Sequence, residues 1–178
     1  MILLTVGTQE PFDRLVQCVD EWATSRGCGD RVRGQITDRA SYHPTSFEWV
    51  PKLDPAAFVD ACRVSDLIVS HAGIGSIITA MRMEKPIVIV PRRAHLGEQR
   101  NDHQRATAER FESRPGVYVA SDTHGLPGLL DRYLEGELMG DTGFVNVGAA
   151  QNLIDTIRAF IYDSPGSARS SASATPGP

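Results

Sequence analysis

The strongest constraint on this chain is a set of short apolar runs, each too continuous to lie half-exposed. Ile2-Leu3-Leu4-Thr5-Val6, Leu67-Ile68-Val69 and Pro86-Ile87-Val88-Ile89-Val90 carry almost no polar residue, and the last is β-branched throughout after its proline. Such runs suit strands buried on both faces, the condition of a parallel sheet covered by helices. Between them the period changes: from Pro11 onward, Phe12, Leu15, Val16, Val19, Trp22 and Ala23 recur at helical spacing. Val32 to Ile36, Phe47 to Val50 and Val117 to Val119 read as further strands. Asp54-Pro55 reads as an N-cap followed by proline at the first helical position, opening a helix to about Arg63. Other helices are predicted over about Ser76–Met83, Glu98–Glu112, Leu126–Leu134 and Gly148–Tyr162. Strands alternating with helices predict an α/β fold, a Rossmann-like open parallel sheet with helices on both faces.

At 178 residues the chain has the length of one domain. Its last fifteen residues, SPGSARSSASATPGP, hold no large apolar side chain, so residues 1–162 are expected to fold and 163–178 to form a flexible tail. No apolar run approaches the roughly 20 residues that span a bilayer. The first residues have no basic leader, and a signal peptide is not expected. The three cysteines form no C-x-x-C pair, and reduced thiols in a cytoplasmic protein are the expected reading. Net charge is −4 but uneven, with eight Lys/Arg against five Asp/Glu between Arg82 and Arg114. Arginine binds phosphate as a bidentate fork, so this stretch points to an anionic ligand, although a solvated helix face explains it as well. An acidic chain without interleaved aromatic and basic residues is not expected to bind nucleic acid.

Ligands of open parallel sheets bind beyond the carboxyl ends of the strands. Two glycine loops fall there: Gly7-Thr8-Gln9 and Ser70-His71-Ala72-Gly73-Ile74-Gly75-Ser76. In the second, Gly73 and Gly75 permit close backbone approach, Ser76 adds a hydroxyl, and the following helix presents free N–H groups, as a phosphate site requires. His71 is placed to donate to a diphosphate; a plain glycine turn with a histidine capping nearby backbone accounts for the same residues. A second constellation, Asn101-Asp102-His103-Gln104, crowds four hydrogen-bonding side chains into one helical turn, suited to bracket sugar hydroxyls or simply to start a solvated helix. Gly73-Ile74-Gly75 begins a dinucleotide fingerprint that fails at its third glycine, where Ile78 stands. Arg92 and Arg93 keep an NADP-dependent reductase open as an alternative. No zinc spacing, Asp-x-Asp or G-x-S-x-G is present, so neither a metal nor a covalent hydrolase is expected.

Four motifs in one order carry a resemblance: V-G-T-Q-x-P-F-D-R-L at Val6 to Leu15, S-H-A-G-x-G-S at Ser70 to Ser76, K-P-I-V-I-V-P at Lys85 to Pro91, and N-D-H-Q at Asn101 to Gln104. Together they resemble the glycosyltransferase family 28 C-terminal domain. Within it the chain is similar to the donor-binding catalytic subunits of split GT-B enzymes, including the eukaryotic dolichol-linked N-acetylglucosamine transferase subunit and, more closely, bacterial exopolysaccharide and capsule subunits. The resemblance implies an inverting hexosyltransferase, of β-1,4 type, that needs no cofactor and no metal. It would transfer from a UDP-sugar to a polyprenyl-diphosphate-linked saccharide, beside a membrane-anchored acceptor-binding subunit. The chain would then be cytoplasmic and peripheral at the inner face of the membrane through that partner.

The same resemblance assigns His71, Gly73, Gly75 and Ser76 to the diphosphate, with His71 stabilising charge. Asp102 and Gln104, with neighbouring Asn101 and His103, fall near the donor sugar, and Gly7, Thr8 and Gln9 face the cleft. One position departs from the pattern: Thr79 stands where related enzymes often carry the Glu that holds the ribose. A non-catalytic nucleotide-sugar-binding assembly module, or a nucleotide-sugar epimerase, is the competing expectation. Arg92, Arg93 or Arg100 are candidates to pair a uronate carboxylate on the donor.

Overall fold

A computed structural model describes residues 1–140. Six strands, β1 (Ile2–Thr5), β2 (Val32–Gln35), β3 (Glu48–Val50), β4 (Leu67–His71), β5 (Ile87–Val90) and β6 (Val117–Val119), form one sheet in the order β3-β2-β1-β4-β5-β6. Every pairing is parallel. Four α-helices among the described residues lie between strands, α1 (Asp13–Arg26), α2 (Pro55–Val64), α3 (Ile74–Arg82) and α4 (His103–Phe111), and a fifth, α5 (Leu126–Leu134), follows β6.

The apolar runs become the central strands, and β1, β5 and nearly all of β4 are buried. Alternation along them divides the core. Ile2, Leu4, Val6, Leu67, Val69, Val88 and Val90 join the α1 side chains Leu15, Val16, Val19 and Trp22 and the α5 side chains Leu126 and Leu130 in one cluster. Leu3, Ile68 and Ile87, in register with one another, face the other way. A side chain such as Leu15 or Ile68, fully removed from water, contributes roughly 1.5–3 kcal/mol. Across the top of α1, the indole of Trp22 and the guanidinium of Arg26 both donate to Asp131 on α5. Within α1, buried Asp20 accepts from Tyr42, from the Thr45 and Ser46 N–H groups and from the Ser46 hydroxyl, fastening the segment between β2 and β3.

The helix ends follow local chemistry. The Asp54 carboxylate accepts the Ala57 N–H at 2.9 Å ahead of Pro55, and Gly27 closes α1 in the left-handed conformation. Two predicted boundaries move. The helix expected from Ser76 begins at Ile74, because Gly73 takes the capping position with extended backbone and no side-chain cap; His71 and Ser70 belong to β4 rather than to a loop. The helix expected from Glu98 begins at His103, because the Glu98 side chain is drawn into long-range bonds to Arg14 and to the Arg93 N–H, and the chain from Glu98 to Asp102 stays irregular. The predicted helix Gly148–Tyr162 and the boundary at residue 162 lie outside the described residues. Among the described residues no helix is long and apolar enough to cross a membrane.

Candidate functional site at the strand switch point

In this strand order the chain leaves β1 toward β2 and leaves β4 toward β5, in opposite directions. The connections after β1 and β4 therefore diverge and open a crevice at their carboxyl ends, where such sheets bind ligands. A cavity of about 290 Å³ lies there, walled by Gly7, Thr8, Gln9 and Glu10 on one side and by His71, Arg92, Gln99 and Gln104 on the other. A second cavity of about 490 Å³ shares Thr8, Gln9 and Glu10 and extends past Asp38, Arg39 and Lys52.

His71 continues the inward stripe Leu67-Val69 one position further, which brings a polar ring to the rim of an apolar face. The ring fills the space between two glycines. A methyl group on Gly73 would lie 2.2 Å from His71 Nε2, and one on Gly7 would lie 3.0 Å from Cε1. Gly7 also has φ +84°, a conformation that L side chains rarely adopt. Both glycines are thus required by the histidine before any ligand is considered. Gly75 differs: it is exposed, and nothing lies within 4 Å of where its Cβ would be. Enclosure of the ring, reinforced by the neighbouring Arg92 cation and opposed by a hydrogen bond to the Thr5 backbone, pushes the His71 imidazole down to about 4. It is neutral at physiological pH, so it acts as a hydrogen-bonding group rather than a cation, with Nδ1 3.3 Å from Ser70 Oγ.

The loop opposite is held from behind. Gln35 accepts from the Thr5 hydroxyl and donates to the Gly7 carbonyl at 2.7 Å. Arg92, only 3% exposed, donates to the carbonyls of Val6 and Glu10, each at 2.7 Å, and its guanidinium lies 5.1 Å from the Phe12 ring centre. Its own N–H is accepted by Gln104 Oε1 at 3.1 Å, so that part of the N-D-H-Q motif faces inward.

The rest of the N-D-H-Q turn does not line this cavity. Asn101, Asp102 and His103 are exposed; Asp102 Oδ1 accepts the Ala94 N–H and Asn101 Oδ1 the His103 N–H. Gly73, Gly75 and Ser76 sit at the start of α3 beside His71, with Gly75 and Ser76 in its first turn, where N–H groups have no helical acceptor. The Thr79 hydroxyl donates to the Gly75 carbonyl at 2.8 Å, leaving only its lone pairs for a ligand.

Gln35, Gln99 and Glu98 escaped the sequence reading; a glutamine in a short weak strand was the one local sign of the first. Gln99 and Arg92 line the cavity, and Gln99 Oε1 and Arg92 Nε are buried without a hydrogen-bond partner within the protein. Buried polar atoms of that kind are uncommon. Arg92 and Arg93 are otherwise engaged, Arg93 with the Ser121 carbonyl and Asp122, which removes the reason for assigning them an extra phosphate or a uronate carboxylate. Burial pushes the Cys18 and Cys62 thiols up to about 11, so neither is a ready nucleophile.

The sheet and its switch-point crevice define a Rossmann-like domain of the type that forms half of a GT-B glycosyltransferase. The chain belongs to the glycosyltransferase family 28 C-terminal domain family, which it matches over residues 1–139. It is similar to the UDP-N-acetylglucosamine transferase subunit ALG13 of Saccharomyces cerevisiae, 29% identical over 97 residues that make up 54% of this chain and 44% of the yeast protein. It also matches the UDP-N-acetylglucosamine--N-acetylmuramyl-(pentapeptide) pyrophosphoryl-undecaprenol N-acetylglucosamine transferase of Opitutus terrae, 37% identical over 79 residues covering 44% of this chain and 18% of that enzyme. The matched segments therefore span less than half of either relative. Among solved structures, the solution structure of ALG13 superposes with a TM-score of 0.60 at 19% identity, covering 88% of this chain and 96% of that one, a likeness of fold.

Proposed function

We infer that the chain is the donor-binding catalytic subunit of an inverting UDP-sugar glycosyltransferase that works with a separate, membrane-anchored acceptor-binding subunit. One observation carries the reading: the switch-point cavity brings His71 and the inward-facing Gln104 to one opening, and α3 begins three residues after His71, in a domain matched by the family over residues 1–139. The donor diphosphate lies against the N–H groups of Gly75 and Ser76, where the helix end favours negative charge. Neutral His71 contributes a hydrogen bond. The sugar reaches toward Gln104, whose amide NH2 remains available while its oxygen holds Arg92. Thr79 meets the ribose through its lone pairs alone.

In the reaction an acceptor hydroxyl oxygen attacks the anomeric carbon from the face opposite the diphosphate. The bond from that carbon to the β-phosphate oxygen breaks, and UDP leaves with the electron pair. The acceptor proton passes to a base on the acceptor-binding half. Charge growing on the leaving diphosphate is what the α3 end stabilises. No metal takes part. A polyprenyl-diphosphate-linked saccharide as acceptor, a β-1,4 linkage, and a setting in exopolysaccharide or capsule assembly at the inner membrane face complete the proposal. The likeness of the motifs to such subunits supports them, and the pyrophosphoryl-undecaprenol in the name of the Opitutus relative supports the acceptor class alone.

Co-expression with the adjacent reading frame, followed by incubation with UDP-sugars and a lipid-linked acceptor, tests this. Transfer that requires both chains is expected; full transfer by this chain alone on membranes would contradict the two-subunit arrangement. One observation favours a non-catalytic binding module instead: Glu10 is the single carboxylate among the residues lining the cavity, and it is exposed and faces Arg39. Turnover surviving His71→Ala in the assembled pair would favour that reading. Stabilisation by NADP but not by UDP would overturn both.

A further inference from the structure

Resting on the donor-site reading above, we propose that Arg92 is a positioning residue. Held by the Glu98–Arg14 pair, its guanidinium clamps the Val6–Glu10 loop into the shape that makes one wall of the donor cavity.

A buried arginine is costly, and every hydrogen bond that this guanidinium donates goes to a backbone carbonyl. One nitrogen donates to the carbonyls at the two ends of the loop, Val6 and Glu10, both at 2.7 Å. Another reaches the Glu98 carbonyl at 3.4 Å. Glu98 is itself fixed: its carboxylate receives Arg14 through two bonds of 2.6 and 2.9 Å and the Arg93 N–H at 2.8 Å. Both guanidinium groups, Arg14 and Arg92, also lie against Phe12, at 5.2 and 5.1 Å from the ring centre. The network thus ties the loop after β1, the start of α1, the segment after β5 and, through Gln104, the start of α4.

The geometry explains why the residue is arginine. One nitrogen meets both loop carbonyls while a second reaches the Glu98 carbonyl, and the same plane packs on an aromatic face. A planar fork does all three, whereas a compact ammonium has neither the second nitrogen nor the plane. Arg92 itself lines the cavity, but its donors point to the loop carbonyls, and the loop's Thr8 and Gln9 stay exposed toward the cavities.

The full-length chain is compared as wild type, Arg92→Lys and Arg14→Gln, the last keeping Arg92 but loosening Glu98. UDP affinity is read by calorimetry under conditions where each protein is folded, and the Gly7 and Thr8 amides and the His71 ring are followed by NMR. Arg92→Lys should lose UDP affinity roughly tenfold to hundredfold, the scale expected when binding groups are slightly misplaced. It should also shift the Gly7 and Thr8 amides, while the retained charge leaves the His71 titration near its wild-type position. Arg14→Gln should move both readouts in the same direction by less, and it decides the matter if Arg92→Lys does not fold. Unchanged UDP affinity and unmoved loop amides in a folded variant would overturn the proposal and leave Arg92 a stabilising residue only. If the wild type itself fails to bind UDP, the donor-site reading falls; the loop amides then decide the clamp alone, displaced in both variants or unmoved.

Discussion

The two walls of the switch-point crevice are built in opposite ways. On the β1 side, the carbonyls of Val6, Gly7 and Glu10 are all engaged from behind by Gln35 and Arg92. On the β4 side, the first turn of α3 turns unpaired N–H groups outward, and Gly75 faces open space. One wall is a scaffold whose backbone polarity is used up internally, and the other is a surface whose polarity is left for a ligand. His71 stands between them, wedged by a glycine from each. The division teaches that glycines in one motif have different tasks: Gly7 and Gly73 make room for the histidine, and Gly75 makes room for something else.

The contrast can be broken most forcefully through His71. Its folded pKa of about 4 lies below the ordinary value of 6.5, so the unfolded chain takes up the proton first as pH falls. Stability is unaffected above about pH 7, declines below about 6.5, and by pH 4 has lost on the order of 3 kcal/mol through this group. Urea unfolding of wild type and His71→Gln across that range should show the wild type losing the extra amount. Parallel curves would mean that the ring is not enclosed as described.

Gly73→Ala comes next. Its methyl group must displace the His71 ring, at a cost of about 2 kcal/mol as for an overpacked site. The double variant Gly73→Ala/His71→Ala should recover most of that loss, because the clash is with the ring and not with backbone. Gln35→Leu, on the scaffold wall, leaves the Gly7 carbonyl and Thr5 hydroxyl without their partner and should cost about 1.5 kcal/mol in denaturant unfolding. The smallest effect on stability belongs to Gly75→Ala. The site has room, and alanine in the first turn of α3 should stabilise by about 0.5 kcal/mol. Yet UDP affinity should fall, since the methyl group stands where the ligand approaches. A stabilised Gly75→Ala variant with unaltered UDP affinity would erase the distinction between the walls.

The sheet was legible in sequence because its signal is local. Buried parallel strands need continuous apolar runs, and Ile2–Thr5, Leu67–Val69 and Ile87–Val90 are such runs; Leu126–Leu134 is helical with the predicted bounds. The two glycine loops after apolar strands pointed to the carboxyl ends of the sheet, while the strand order that opens the crevice there came from the structure. What stayed hidden was set by distance along the chain. Arg14 and Glu98 lie 84 residues apart, and no periodicity links them; their pairing shortens α4 and turns Arg92 from an apparent phosphate ligand into a backbone clamp. Gly73 as a cap without a side chain left no mark of where α3 begins. Gln104 and Asp102, two residues apart in one motif, part company because one faces the core and the other solvent.

The central claim is that UDP binds at this crevice, against the outward wall. It is tested most directly by titrating the isotope-labelled full chain with UDP and following backbone amide resonances. Saturable shifts centred on Gly75 and Ser76, with smaller ones at Gly7 to Gln9 and none along the edge strand β3, are the predicted result. Saturable shifts confined to residues away from the carboxyl ends of β1 and β4, or none at millimolar UDP, would contradict it.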